Sequence, residues 1–205
     1  SSSVYGDQKN FPIQENFNKN PKNFYALTKL QCEHNIKKIF LKSKTKFLIF
    51  RFFTIYGPLG RPDMFIHKLL NSIKKGKKIF LYNNGLNYRD FTYIDDVVKI
   101  FEKSMIKTPK KNIFNICRSN PIKTTALVEL IEKIYGKTSN KKLTGEVKGE
   151  MFKTHGSNKL LKSSIKNINF TDIKHGLKKT ILTFKKFGYW DWDFLKRTNI
   201  YEKIQ

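Results

Sequence analysis

Tyr25 and Lys29 stand four residues apart in Tyr25-Ala26-Leu27-Thr28-Lys29, and upstream lies Ser1-Ser2-Ser3-Val4-Tyr5-Gly6. On a helix repeating every 3.6 residues, side chains at i and i+4 share one face. An ammonium held beside a phenol favours the phenolate through its charge. A tyrosine placed in that way is a candidate acid and base near neutral pH. The hydroxyl-rich turn is suited to orient a substrate oxygen. This group of residues predicts proton transfer at a bound substrate.

The elements that must carry this group follow from the apolar pattern. Asp7 to Phe24 reads as a loop rich in Asn, Lys and Pro. A helix is predicted from Phe24 or Tyr25, with Leu27, Leu30, Ile36 and Phe40 inward and Lys37 and Lys38 in water. Lys46 to Phe53 is an almost unbroken apolar run, the signature of a strand buried on both faces of a parallel sheet. The Gly/Pro loop Tyr56 to Pro62 follows, where α/β domains bind ligands beyond the carboxyl ends of their strands.

Further helices are predicted over 63–75, after Asp95-Asp96, over 124–135, over 158–163 and over 173–186, with glycines 76, 136 and 188 as stops. Strands are predicted at 78–82 and 112–117, and a turn at Asn83-Asn84-Gly85. Asp95 and Asp96 read as a helix cap and dipole partners. Lys137 to Lys153 reads as a lysine-rich connection, and Tyr189 to Phe194 as an aromatic packing segment.

The chain has 205 residues, 39% of them hydrophobic and 18 of them Phe, which marks it as folded and globular. Its formal net charge of +25 raises nucleic acid as a partner. Yet only five of the 41 basic residues are arginines, the residue that suits phosphate forks and base edges. The lysines are spread along the whole chain, as compositional bias over solvated faces would spread them. A nucleic-acid-binding protein is therefore the weakest of the functional readings. No apolar run is long enough to cross a membrane. Cys32 and Cys117 lack a metal or CxxC spacing and predict buried, reduced thiols in the cytoplasm. His34, His67, His155 and His175 form no metal-like cluster and read as surface or partly packed residues.

Four motifs now stand in register: Ser1 to Gly6, Tyr25-xxx-Lys29, Arg51-Phe52-Phe53-Thr54-Ile55-Tyr56-Gly57-Pro58, and Arg89-Asp90-Phe91-Thr92-Tyr93-Ile94-Asp95-Asp96. Together they resemble the extended short-chain dehydrogenase/reductases that act on nucleotide sugars. Within these, Thr54 and the run Gly60-Arg61-Pro62-Asp63-Met64 are most similar to the UDP-glucuronate 4-epimerases. The sugar dehydratases carry an Asp-Glu pair where this chain has Ser2 and Ser3, which cannot act as that acid/base pair.

The resemblance implies an α/β fold: part of a doubly wound, Rossmann-type parallel sheet, with a smaller α/β substrate-binding domain. It implies NAD as cofactor and a UDP-sugar substrate epimerised at C4 through a transient 4-keto sugar. Ser1, Tyr25 and Lys29 take the catalytic positions, and Tyr25 and Lys29 also meet the cofactor. Ser2, Ser3, Thr54, Arg61 and Arg89 take substrate-binding positions, with Arg89 on the diphosphate. No metal is implied, and a homodimer through helices that include the Tyr25 helix is.

The implied division is 1–54 for the second half of the dinucleotide domain, 55–87 for a substrate-domain insertion, 88–118 for the returning helix and strand, and 119–205 for the substrate domain. The chain departs from the family at Cys117, where Gly is usual, and at Gly149-Glu150, where Gly-Asp is usual. It also holds no Gly-x-x-Gly-x-x-Gly turn, the element that brings backbone amides to a dinucleotide pyrophosphate. The sequence is accordingly expected to be the carboxy-terminal part of such an enzyme. The alternative expectation is an inactive or partner-dependent fragment of another nucleotide-sugar epimerase, decarboxylase or dehydratase.

Overall fold

The computed structural model describes residues 1–40, 42–147 and 151–188. A short 3-10 turn, Ser2–Tyr5, precedes α1 (Phe24–Phe40), β1 (Ile49–Phe52), β2 (Thr54–Tyr56), α2 (Phe65–Lys75), β3 (Lys78–Leu81) and β4 (Tyr88–Arg89). Then come β5 (Phe91–Tyr93), α3 (Ile94–Ile106), β6 (Ile113–Ile116), β7 (Ile122–Lys123), α4 (Thr124–Tyr135), β8 (Asn140–Leu143), α5 (Lys159–Ser164) and α6 (Ile173–Phe187). The chain divides into two compact units, 1–55 with 87–122 and 148–171, and 56–86 with 123–147 and 172–205. The described residues 151–171 belong to the first unit.

In the first unit β1 and β6 pair in parallel, with Ile49 opposite Ile113 and Arg51 opposite Asn115. Val97 and Ile100 of α3, Phe114 and Ile116 of β6, and Leu161 and Ile165 form the core on one side, with Phe50 and Phe52 packed against it. Val4, Tyr5, Ile13, Phe53 and Cys117 form a second cluster beneath the amino-terminal turn. Asn23 caps α1 by accepting the Ala26 amide at 2.8 Å.

The apolar reading of α1 fails at Leu27, which is 51% exposed; the helix buries Ala26 and Glu33 instead. Cys32 is exposed on it, contrary to expectation, whereas Cys117 is fully buried. Asp95 and Asp96 lie in the first turn of α3, but Tyr93 occupies the cap position. The buried Asp96 carboxylate accepts instead from the Thr171 amide and hydroxyl, each at 2.7 Å.

In the second unit Ile66, Leu69, Leu70 and Ile73 form the buried stripe of α2. Gly76 ends that helix at φ 64, a left-handed position that costs glycine no Cβ clash. Strand β3 pairs in parallel with β8, inside the stretch predicted as a connection. All four residues of β8 are exposed, so no apolar alternation marks it in the sequence. His67 departs from its expected place: it is buried, against the edge of Phe184 from α6. No described helix is long and apolar enough to cross a membrane. Gly149-Glu150 and the Tyr189–Phe194 segment lie outside the described residues.

Candidate active site

Ser1 caps the 3-10 turn, accepting the Ser3 amide at 3.3 Å, and its hydroxyl lies 2.8 Å from that of Ser3. Ser1, Ser2 and Ser3 are all half-buried. The turn packs against α1, which carries Tyr25 and Lys29. Tyr25 is 57% exposed, and the Lys29 ammonium lies over its ring, 5.5 Å from the centroid. The fold therefore brings the serine turn to the helix of the Tyr–Lys pair and leaves that pair open to a ligand.

A buried polar network holds this arrangement. Arg51 of β1 donates through Nε and Nη2 to the two oxygens of Glu33, at 2.9 and 2.7 Å. Its Nη1 donates to the Tyr5 hydroxyl at 2.7 Å and to the Glu15 carbonyl at 2.9 Å. The Tyr5 hydroxyl in turn donates to Asn115 Oδ1 at 2.7 Å. The Asn115 amide group donates to the Ile13 carbonyl at 2.9 Å, and its backbone N–H to the Glu15 carboxylate at 2.9 Å.

Turn, loop, helix and both strands are thus tied to one guanidinium. Tyr25, Lys29 and Glu33 stand at i, i+4 and i+8, so anchoring Glu33 sets the rotation of α1 and with it the direction of the other two. Burial pushes the Tyr5 phenol up to about 12, outweighing the opposing pull of Arg51. Tyr5 is therefore a structural hydroxyl, in contrast to the open Tyr25. The sequence carried one sign of this network, a lone arginine inside the apolar run Phe47 to Phe53.

Thr54 and Arg89 lie near each other in the first unit: the Thr54 amide donates to the carbonyl of Asp90 at 3.1 Å. Thr54 is half-buried, and so is Arg89, whose Nη1 donates to the Tyr88 carbonyl at 3.0 Å. Asp90 itself is fully buried and accepts the Ser119 and Gly156 amides, each at 3.1 Å. Burial raises its carboxyl to about 6 against the pull of these amides and of Arg118. It pins two loops beside Arg89, a role that its place in the Arg89–Asp96 motif did not distinguish.

Arg61 belongs to the second unit and forks onto Asp63 at 3.0 and 2.5 Å, both side chains exposed. Arg61 as the main cause holds the Asp63 carboxyl below its ordinary range. Among the described residues no group of three or more His, Cys, Asp or Glu could hold a metal ion.

Residues 1–117 match the model of the NAD dependent epimerase/dehydratase family. The chain belongs to this family. It is 34% identical over 208 residues to UDP-glucuronate 4-epimerase 5 of Arabidopsis thaliana, covering 91% of this chain and 47% of that protein. It is 38% identical over 183 residues to an uncharacterized protein of Methanocaldococcus jannaschii, covering 87% and 55%. The structure of UDP-glucuronic acid 4-epimerase from Bacillus cereus, in complex with UDP-glucuronic acid and NAD, superposes with a TM-score of 0.82 at 28% identity. That superposition covers 91% of this chain and 60% of the other. The chain spans about half the length of the curated relatives it matches. Its α/β fold, with parallel strand pairs, is that of the family's Rossmann-type members.

Proposed function

We propose that this chain supplies the acid/base and substrate-binding residues of an NAD-dependent UDP-sugar 4-epimerase acting between UDP-glucuronate and UDP-galacturonate. The observation that carries the reading is the seating of the Ser1–Ser3 turn on the helix of Tyr25 and Lys29, locked by the Arg51 network. Family membership and the similarity to UDP-glucuronate 4-epimerases support it.

In this mechanism Tyr25 Oη takes the proton of the sugar 4-hydroxyl as that carbon is oxidised, and returns it after the ketone has turned its other face. Ser1 donates a hydrogen bond to the same oxygen. Ser2, Ser3 and Thr54 hold the sugar and its carboxylate. Arg89 grips the diphosphate, where a planar fork matches two oxygens, and Arg61 supplies a second anion contact.

NAD, when bound, supplies the oxidising and reducing equivalent. Lys29 and Tyr25 are both exposed on one helix face and fit the ribose end of such a cofactor. The glycine-rich cradle for its pyrophosphate is not among the 205 residues. A homodimer through α1 accords with the exposure of Phe24, Leu27 and Ile39 on that helix, and we place the enzyme in the cytoplasm.

Incubation with NAD and UDP-glucuronate, followed by chromatography for UDP-galacturonate, tests the reading. Tyr25→Phe should lower turnover by about 10²–10⁴-fold and leave the fold intact. Conversion of UDP-glucose but not UDP-glucuronate would remove the uronate assignment. Turnover that appears only when a second polypeptide carrying the glycine-rich turn is added would make the chain partner-dependent.

A further inference from the structure

We propose that His67 is a positioning residue: its neutral imidazole holds the Gly60–Arg61 loop in the form that presents Arg61 to the anionic end of a nucleotide sugar. The inference rests on Arg61 being a substrate contact, as proposed above. The Gly60 amide donates to His67 Nε2 at 3.2 Å. His67 sits in the first turn of α2, only 2% exposed, with its ring against the edge of Phe184 at 6.4 Å.

The fit between loop and ring is close. A Cβ added at residue 60 would lie 2.4 Å from His67 Cε1 and 2.7 Å from Nδ1, so the loop backbone rests directly on the imidazole. Beside it Leu59 adopts a left-handed φ of 55. That conformation is unfavourable for a residue with a Cβ and persists only where surrounding contacts hold it. The Gly60–His67 bond is such a contact, one residue from the strain and one from Arg61. Downstream, the Met64 amide closes a turn onto the Arg61 carbonyl at 3.2 Å. The guanidinium is thus carried by a loop with a defined shape, not a loose tether.

An amide N–H can bond Nε2 only while that nitrogen is unprotonated, which requires the neutral tautomer with its proton on Nδ1. Burial lowers the affinity of His67 for a second proton. The groups set against the ring, Gly60 and Phe184, carry no charge. Of the charges on the packed elements, Arg61 and Asp63 pair with each other on the loop and Lys68 is exposed on α2. The Lys74 ammonium lies over the Phe184 ring at 5.8 Å, and that of Lys185 on α6 donates to the Tyr135 carbonyl at 2.9 Å.

Among the described residues burial alone shifts His67, and none of the groups set against its ring is an anion that would rescue the imidazolium. Because the folded state takes up this proton less readily than the unfolded chain, the contribution of His67 is complete above the ordinary histidine value of 6.5. It is lost as pH falls below that value. Protonation sets a donor against the Gly60 donor and frees the loop.

Amide hydrogen exchange at Gly60, followed by NMR on the whole chain between pH 8 and pH 5, tests the hold. Protection in the unmutated chain should fall by about tenfold or more on acidification. His67→Phe should lack it at every pH, and His67→Gln, whose side-chain oxygen can accept the same bond, should keep it without pH dependence. Affinity for UDP-glucuronate, read by calorimetry at pH 8, should weaken at least fivefold in His67→Phe and return to within twofold in His67→Gln.

Equal Gly60 protection in the unmutated chain and His67→Phe would overturn the proposal. So would equal losses of affinity in the Phe and Gln variants. Arg61→Ala separates the two layers. If it leaves UDP-glucuronate affinity unchanged while Gly60 still follows His67, Arg61 is not a substrate contact and only the hold on the loop stands.

Discussion

Arg51 and Arg61 each grip a carboxylate through two nitrogens, Glu33 at 2.9 and 2.7 Å and Asp63 at 3.0 and 2.5 Å. The bonds are alike and the surroundings are not. The side chains of the first pair are 1% and 7% exposed, and those of the second 71% and 59%. A buried guanidinium must have its donors satisfied, because it has lost water as a partner. Arg51 accordingly binds Glu33, Tyr5 and the Glu15 carbonyl at once.

An exposed pair is screened and contributes little to stability. Asp63 can therefore give way to an anionic ligand at small cost. The buried arginine builds the frame of the first unit, while the exposed one, in the second, is the fork proposed above to meet an anionic ligand.

The sharpest way to break this comparison is Glu33→Gln, which strands the Arg51 charge. It should destabilise the chain by about 3–5 kcal/mol, measured by urea unfolding. A change under about 1 kcal/mol would mean that the buried pair behaves as an exposed one.

Tyr5→Phe removes one hydroxyl from the same network and leaves Arg51 Nη1 and Asn115 Oδ1 each short of a bond. A loss of about 1–3 kcal/mol is expected in the same measurement. The variant also sharpens the pH behaviour. The Tyr5 phenol titrates at about 12 in the fold against 10.0 unperturbed, so the folded state holds the proton longer. Its contribution is therefore full below pH 10 and lost as pH rises towards 12. The difference in unfolding free energy between the unmutated chain and Tyr5→Phe should shrink across that window.

Arg61→Ala should be the mildest of these changes and leave the urea unfolding midpoint almost where it is. Its effect belongs in ligand binding: UDP-glucuronate affinity should fall and become less sensitive to salt. A large stability loss in Arg61→Ala would erase the contrast between the two forks.

Much of the secondary structure was legible because its signals are local. The α2 stripe at Ile66, Leu69, Leu70 and Ile73 and the stops at Gly76 and Gly136 lie within one or two turns of the residues they govern. Strand β8 was not legible, because Asn140 to Leu143 is exposed throughout and owes its conformation to pairing with β3, some sixty residues earlier. Cys32 and Cys117 look alike in sequence, and packing alone buries one and exposes the other. Of the candidate site, the residue types and their order could be read, but not the network that orients them. The separation of 18 positions from Glu33 to Arg51 hides that bond from any periodicity.

The sequence by itself determined the family, the identity of the proposed acid/base pair and the one-face spacing of Tyr25 and Lys29, since each follows from residue type and helical repeat. Only the tertiary structure decided that Arg51 is a buried anchor, that Tyr5 is structural while Tyr25 is open, and that His67 lies under the Gly60–Arg61 loop. Burial is a property of which distant segments meet. It sets whether a charge is screened by water or must be satisfied by the chain.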